Sequence, residues 1–180
     1  YELYKWHRDF KQYSKGDFDA LFRVLIKKFT QDGAKVVLLP QTYESILNDE
    51  AYFNELKSGN PDVVVVPTEY SSDIQQMIIA RADYVVGARY HTIVFAINNK
   101  TPFFCLSYEH KMVDMLRILA MEENAVNILD ALNEPERISN LIYLNYQNRI
   151  VMDRELERAH SLAKELASSC FSAFYKVLEG

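Results

Sequence analysis

Arg89 and His91 stand two residues apart just after Gly87, and Tyr108, His110 and Lys111 follow further along the chain. One arginine, two histidines and a lysine in two short stretches suit an anion such as phosphate or carboxylate, because cations beside the exposed N–H groups of a helix N-terminus attract one. The Arg89 guanidinium can grip either group through two parallel hydrogen bonds. Histidine is the side chain type best suited to exchange protons near neutral pH, which makes His91 a candidate general acid or base. It reaches the same ligand as Arg89 only where the chain is still turning, since residues i and i+2 diverge within a helix. Gly87 lets the backbone come close to whatever binds. Each residue also has a plainer reading. Arg89 could pair with Asp83 or Glu69, His91 could be a satisfied histidine at a helix start, Lys111 a solvated first-turn lysine and Tyr108 a locally packed ring.

Strands must end where these residues begin. Tyr84–Ala88 (YVVGA) is a short apolar run with helical periodicity from Thr92 to Asn98 behind it, and Pro102–Leu106 is a second run followed by a helix over Glu109–Ala120. Upstream, Phe18–Phe29 predicts a helix with one broad buried face, and Lys35–Pro40 and Asp62–Pro67 predict strands covered on both faces. Asn48 is placed to cap a helix through Leu56, with Asp49 and Glu50 favoured by the positive end of its dipole. Ser72 and Gln75 have the spacing of a capping box for a helix to about Ala82. Val126–Ile128 reads as a short fifth strand. From Pro135 the periodicity is helical only, and Leu156, Ala159, Leu162, Leu166, Cys170, Phe174 and Val177 form the stripe of a long last helix over about Asp153–Leu178, or of two helices in succession.

Strands separated by helices imply crossover connections, hence an α/β fold with a Rossmann-like parallel sheet and helices on both faces. Ligands of such sheets bind beyond the carboxyl ends of the strands, where Arg89, His91, Tyr108 and Lys111 lie. A doubly wound sheet normally begins with a strand, but Tyr1–Lys15 is polar and aromatic and offers none. The chain therefore reads as part of a longer protein: a leader at 1–15, a Rossmann-like domain at 16–134 and a helical segment at 135–180 that packs on it.

Composition narrows the function. The chain has 180 residues, is 49% hydrophobic and carries a net charge of −5, which suits one folded domain and disfavours nucleic acid as the main partner. No apolar run approaches the roughly 20 residues of a membrane-spanning helix, and no signal peptide is visible. Five glycines, none close enough to another for a dinucleotide fingerprint or a P-loop, remove those chemistries. No cluster calls for a metal. Cys105 and Cys170 show no metal-ligand spacing and read as buried thiols of a cytoplasmic protein.

The stretch Ala82–Lys111, ADYVVGARYHTIVFAINNKTPFFCLSYEHK, resembles the C-terminal domain of the polysaccharide pyruvyl transferases. Asp83, Gly87, Arg89, His91, Pro102, Tyr108 and Lys111 fall on that family's pattern in order, and Leu39-Pro40-Gln41 and Ser72–Ala82 also fit, so the resemblance covers roughly residues 16 to 130. It implies the C-terminal half of a GT-B-like architecture, facing an N-terminal domain of the same protein across a cleft. It also implies transfer of the pyruvyl group of phosphoenolpyruvate to two sugar hydroxyls, giving a pyruvate ketal in surface-polysaccharide synthesis, with no cofactor. The acceptor would be a glycan or a lipid- or nucleotide-linked sugar, and the enzyme cytoplasmic or peripheral at the inner face of the membrane. On this reading Arg89 and His91 are catalytic, and Arg89, His91, Lys111, Tyr108 and Gly87 bind the donor. Two alternatives stand beside it: a GT-B-type glycosyltransferase using a nucleotide-sugar donor, and a non-catalytic module of the same fold.

Overall fold

In the computed structural model, residues 10–41, 43–44 and 47–179 are described, with side chains over 10–41 and 49–170. The expectations for Tyr1–Asp9 and for the side chain of Asn48 lie outside the described residues.

The first helix, α1 (Lys15–Gln31), opens at Ser14, whose N–H and hydroxyl both donate to the Asp17 carboxylate at 2.7 Å. Its apolar positions at steps of three and four bury Phe18, Leu21, Leu25 and Ile26. It hands over to β1 (Val36–Leu38), and a short antiparallel pair, β2 (Tyr43–Glu44) and β3 (Leu47–Asn48), leads into α2 (Asp49–Lys57). The alternation then runs β4 (Val63–Val65), α3 (Ser72–Ala80), β5 (Val85–Gly87), α4 (Tyr90–Asn99), β6 (Phe103–Ser107), α5 (His110–Ile118) and β7 (Ala125–Asn127). Three helices close the chain: α6 (Ile128–Asn133), α7 (Pro135–Gln147) and α8 (Asp153–Glu179), the last two separated by a 3-10 turn at Arg149–Met152. The stripe from Leu156 thus lies on one long helix, not on two in succession.

All five strands of the alternation are parallel to their neighbours, as crossover connections require. The sheet nevertheless comes in two pieces among the described residues: β1 with β4, and β5–β6–β7 in that order. No described strand pairs with the remaining edge of β1 or of β5. Helix α1 spans both pieces, since Leu21 and Leu25 pack with Phe104 and Leu106 of β6 while Ile26 packs with Leu56 and Val63.

Strand β6 is buried along its whole length and its side chains alternate between two cores. Phe103 and Cys105 face Ile93, Ile97, Met112, Leu116 and Leu156, in the layer formed by α4, α5 and α8. Phe104 and Leu106 face Phe18, Leu21, Ile128, Ile138 and Ile142, in the layer formed by α1, α6 and α7. The result is a Rossmann-like three-layer fold with helices on both faces.

Local details differ from the sequence reading. The N-cap of α3 is Ser71, and Gln75 turns inward instead of closing a capping box, because Gln41 and the Tyr70 carbonyl are there to bond it. Strand β7 begins one residue earlier than expected. Cys105 is buried, but Cys170 is exposed, since α8 has run past the core by then. Among the described residues no helix is long and apolar enough to cross a membrane.

Candidate functional site

Strands β5 and β6 run side by side with Gly87 opposite Cys105, so both release the chain at the same edge. Arg89 then caps α4 and Glu109 caps α5, each in extended backbone conformation and neither with a side-chain cap bond. Two helix N-termini therefore open next to each other, with backbone N–H groups not used inside the helices. Gly87 permits this seating. A Cβ there would lie 2.8 Å from Ile93 Cδ1 and 3.0 Å from Thr92 Cγ2, so the missing side chain is what lets α4 fold back onto its own strand. The space at Gly87 is filled by the protein itself.

Arg89 is 17% exposed, and its Nη2 donates to Asp49 Oδ1 at 3.2 Å. The ion pair sought with Asp83 or Glu69 is made with Asp49 instead. Asp49 opens α2, where the helix dipole favours a carboxylate, and its Oδ2 accepts the Gln41 backbone N–H at 3.1 Å. Gln41 in turn donates from Nε2 to Oε1 of the buried Gln75 at 2.8 Å. Beside it, Glu50 accepts the Thr68 backbone N–H at 2.9 Å and the Thr68 hydroxyl at 2.7 Å, which holds its carboxyl below the usual range. The exits of β1, β4 and β5 are thus joined through two adjacent acidic residues of α2.

On the other side of Arg89 stands Tyr108. Burial raises its hydroxyl pKa above the ordinary value, a hydrogen bond to Glu109 adds to the rise, and the neighbouring Arg89 opposes it. Glu109 Oε2 receives Lys111 Nζ at 2.6 Å, and that bond is the main reason the Lys111 ammonium is held above its usual range. The same ammonium lies 5.4 Å from the centroid of the Tyr90 ring. His91 is exposed in the first turn of α4, edge-on to Tyr90 at 5.9 Å between ring centroids. His110 is also exposed.

The structure thus gathers Arg89, Tyr108 and Lys111 into one connected group, with His91 on the open side of the same helix turn. What sequence reasoning missed is the pair of carboxylates that flank the cations. Asp49 was legible only as a favourable charge at a helix start, and Glu109 only as the beginning of another helix. Cys105 is no nucleophile, since burial pushes its thiol up to about 12. Among the described residues no group of His, Cys, Asp and Glu could hold a metal ion. The arrangement can bind an anion between a fork-shaped cation, a point cation and two helix N-termini.

A family model described as polysaccharide pyruvyl transferase matches residues 2–110, more than half of the chain. The match includes Gly87, Arg89, His91 and Tyr108 and ends one residue before Lys111. No curated protein and no solved structure matches the chain.

Proposed function

This chain belongs to the polysaccharide pyruvyl transferase family, and we propose that it binds phosphoenolpyruvate at the β5 and β6 exits for transfer of the pyruvyl group to a sugar. The observation that carries the reading is Arg89 at the N-terminus of α4 with Lys111 on the neighbouring helix, since the donor brings a phosphate and a carboxylate that both need cations at short range. One sugar hydroxyl adds to C2 of the donor while C3 takes a proton and becomes the methyl group. A second hydroxyl then displaces inorganic phosphate from C2, which closes the cyclic ketal. Arg89 grips the anionic groups, Lys111 adds charge, and the Tyr108 hydroxyl lines the same space. His91, exposed in the first turn of α4, serves as phosphate ligand or as the acid and base of the proton transfers. The acceptor is a glycan, lipid-linked or nucleotide-linked sugar of surface-polysaccharide synthesis. It enters from the open side, where the N-terminal domain of a GT-B-like pair would face this one.

Calorimetric titration of phosphoenolpyruvate, with Arg89→Ala as control, tests the assignment. Saturable binding that the variant loses supports it. Binding of a uridine diphosphate sugar with no binding of phosphoenolpyruvate overturns it in favour of a glycosyltransferase.

A further inference from the structure

A guanidinium on a long flexible side chain is useful for binding only if something holds it in place before the ligand arrives. Arg89 has one charged partner among the described ion pairs, and that partner opens α2, the helix between β1 and β4 of the other sheet piece. Asp49 is 16% exposed, and its two oxygens are divided between two jobs. Oδ1 takes Arg89 Nη2, while Oδ2 takes the Gln41 N–H at the end of β1. Because Gln41 is itself bonded to the buried Gln75, the carboxylate cannot swing with the arginine; it is anchored from behind. The fork is held through one of its terminal nitrogens, and the bond is charge-assisted and partly shielded from water.

We propose that Asp49 is the positioning residue of the anion site, aiming the Arg89 guanidinium through a relay of Gln75, Gln41 and Asp49 while making no contact with the donor itself. This inference rests on the reading of Arg89 as the donor's ligand, but its physical content, an immobilised guanidinium, is separate from that reading. The relay also sets the chemistry of tolerated substitutions. In Asp49→Asn one oxygen becomes an NH2 donor and faces either Arg89 or the Gln41 N–H, both donors, so one of the two bonds is lost. Asp49→Glu keeps both acceptors on a longer arm.

The test uses the whole chain and two readouts. Guanidinium NMR signals of Arg89, assigned by their loss in Arg89→Lys, report rotation of the fork without any ligand. They are expected to show slow rotation in the wild type, fast rotation in Asp49→Asn and intermediate behaviour in Asp49→Glu, with melting curves confirming that each variant is folded. Phosphoenolpyruvate affinity is expected to fall about tenfold in Asp49→Asn, the worth of one charge-assisted hydrogen bond. It should change less than about twofold when Asp49→Asn is added to Arg89→Lys, because residues acting as one unit are not additive. Rotation as slow in folded Asp49→Asn as in the wild type overturns the proposal. Asp49-dependent rotation without phosphoenolpyruvate binding in the wild type supports the positioning role and overturns the donor assignment instead.

Discussion

Lys111 of α5 reaches across to Tyr90 of α4, its ammonium 5.4 Å from the ring centroid, so the first turns of helices from adjacent strands are tied over the candidate site. The same ammonium is bonded to Glu109 at 2.6 Å, which places a negative charge beside the group meant to attract an anion.

Neutralising that carboxylate should therefore strengthen binding of the proposed donor. Glu109→Gln is expected to tighten phosphoenolpyruvate binding about threefold at low salt, with the gain shrinking as ionic strength rises. The Lys111 ammonium, whose pKa Glu109 holds up, returns toward its ordinary value. Unchanged or weaker binding in calorimetry would show that the Glu109 charge is not felt by the donor.

Gly87→Ala should destabilise the fold by about 1–3 kcal/mol, the cost of forcing a methyl into packed space. The clash is with Ile93 Cδ1 at 2.8 Å and Thr92 Cγ2 at 3.0 Å, so Gly87→Ala combined with Ile93→Val, which removes the nearer atom, should recover part of the loss. Denaturant unfolding of the two variants decides it; no recovery in the double variant would mean that the strain lies in the backbone.

Ser14 and Asp17 give a pH dependence with a definite sign. Hydrogen bonds from the Ser14 hydroxyl and backbone N–H lower the Asp17 pKa below its ordinary 3.8. A carboxyl whose folded pKa is depressed stabilises the fold above its unfolded pKa, and that stabilisation is lost as pH falls through the folded value. Asp17→Asn should therefore lower the melting temperature clearly at pH 7 and progressively less as the pH falls below about 4. An equal effect at both ends would remove the carboxylate from the argument.

Cys105 and Cys170 should separate cleanly in thiol labelling. Cys170 is exposed and open to the reagent, whereas Cys105 is buried with its thiol pushed up to about 12. Mass spectrometry is expected to show one label on the native protein and two after unfolding. Two labels under native conditions would mean that β6 opens readily.

The elements were legible in the sequence where local pattern decides them. The run at Phe103–Leu106 and the broad face of Phe18–Phe29 became the expected buried strand and helix, and Leu156 and Ala159 open the expected stripe of α8. The runs at Lys35–Pro40 and Asp62–Pro67 also became strands, but not strands covered on both faces: Val37 and Val64 are exposed, because no described helix lies over that side of the two-stranded piece. The location of Arg89, Tyr108 and Lys111 at neighbouring strand ends followed from the same reading. What it did not contain was the pairing across the chain. Asp49 is separated from Arg89 by forty residues, and no local pattern says which carboxylate will reach which guanidinium. Gln75 likewise has the spacing of a helix cap, yet its buried position beside Gln41 turns it into a link between strand ends. The break between β1 and β5 was also invisible, since apolar runs announce strands and not their neighbours.

That break gives the molecule a seam. Arg89 is carried by the stiff three-stranded side, whose middle strand is wholly buried, while Gln41 follows a strand of the two-stranded side, where Val37 and Val64 lie opposite each other at 47% and 45% exposure. The thinner side will breathe first, and each opening pulls Gln41 and Asp49 away from Arg89 while the Phe103 and Phe104 cores stay closed. Amide exchange at Val36–Leu38, rather than at β6, is therefore the sensitive gauge of whether the contact between Asp49 and Arg89 is made.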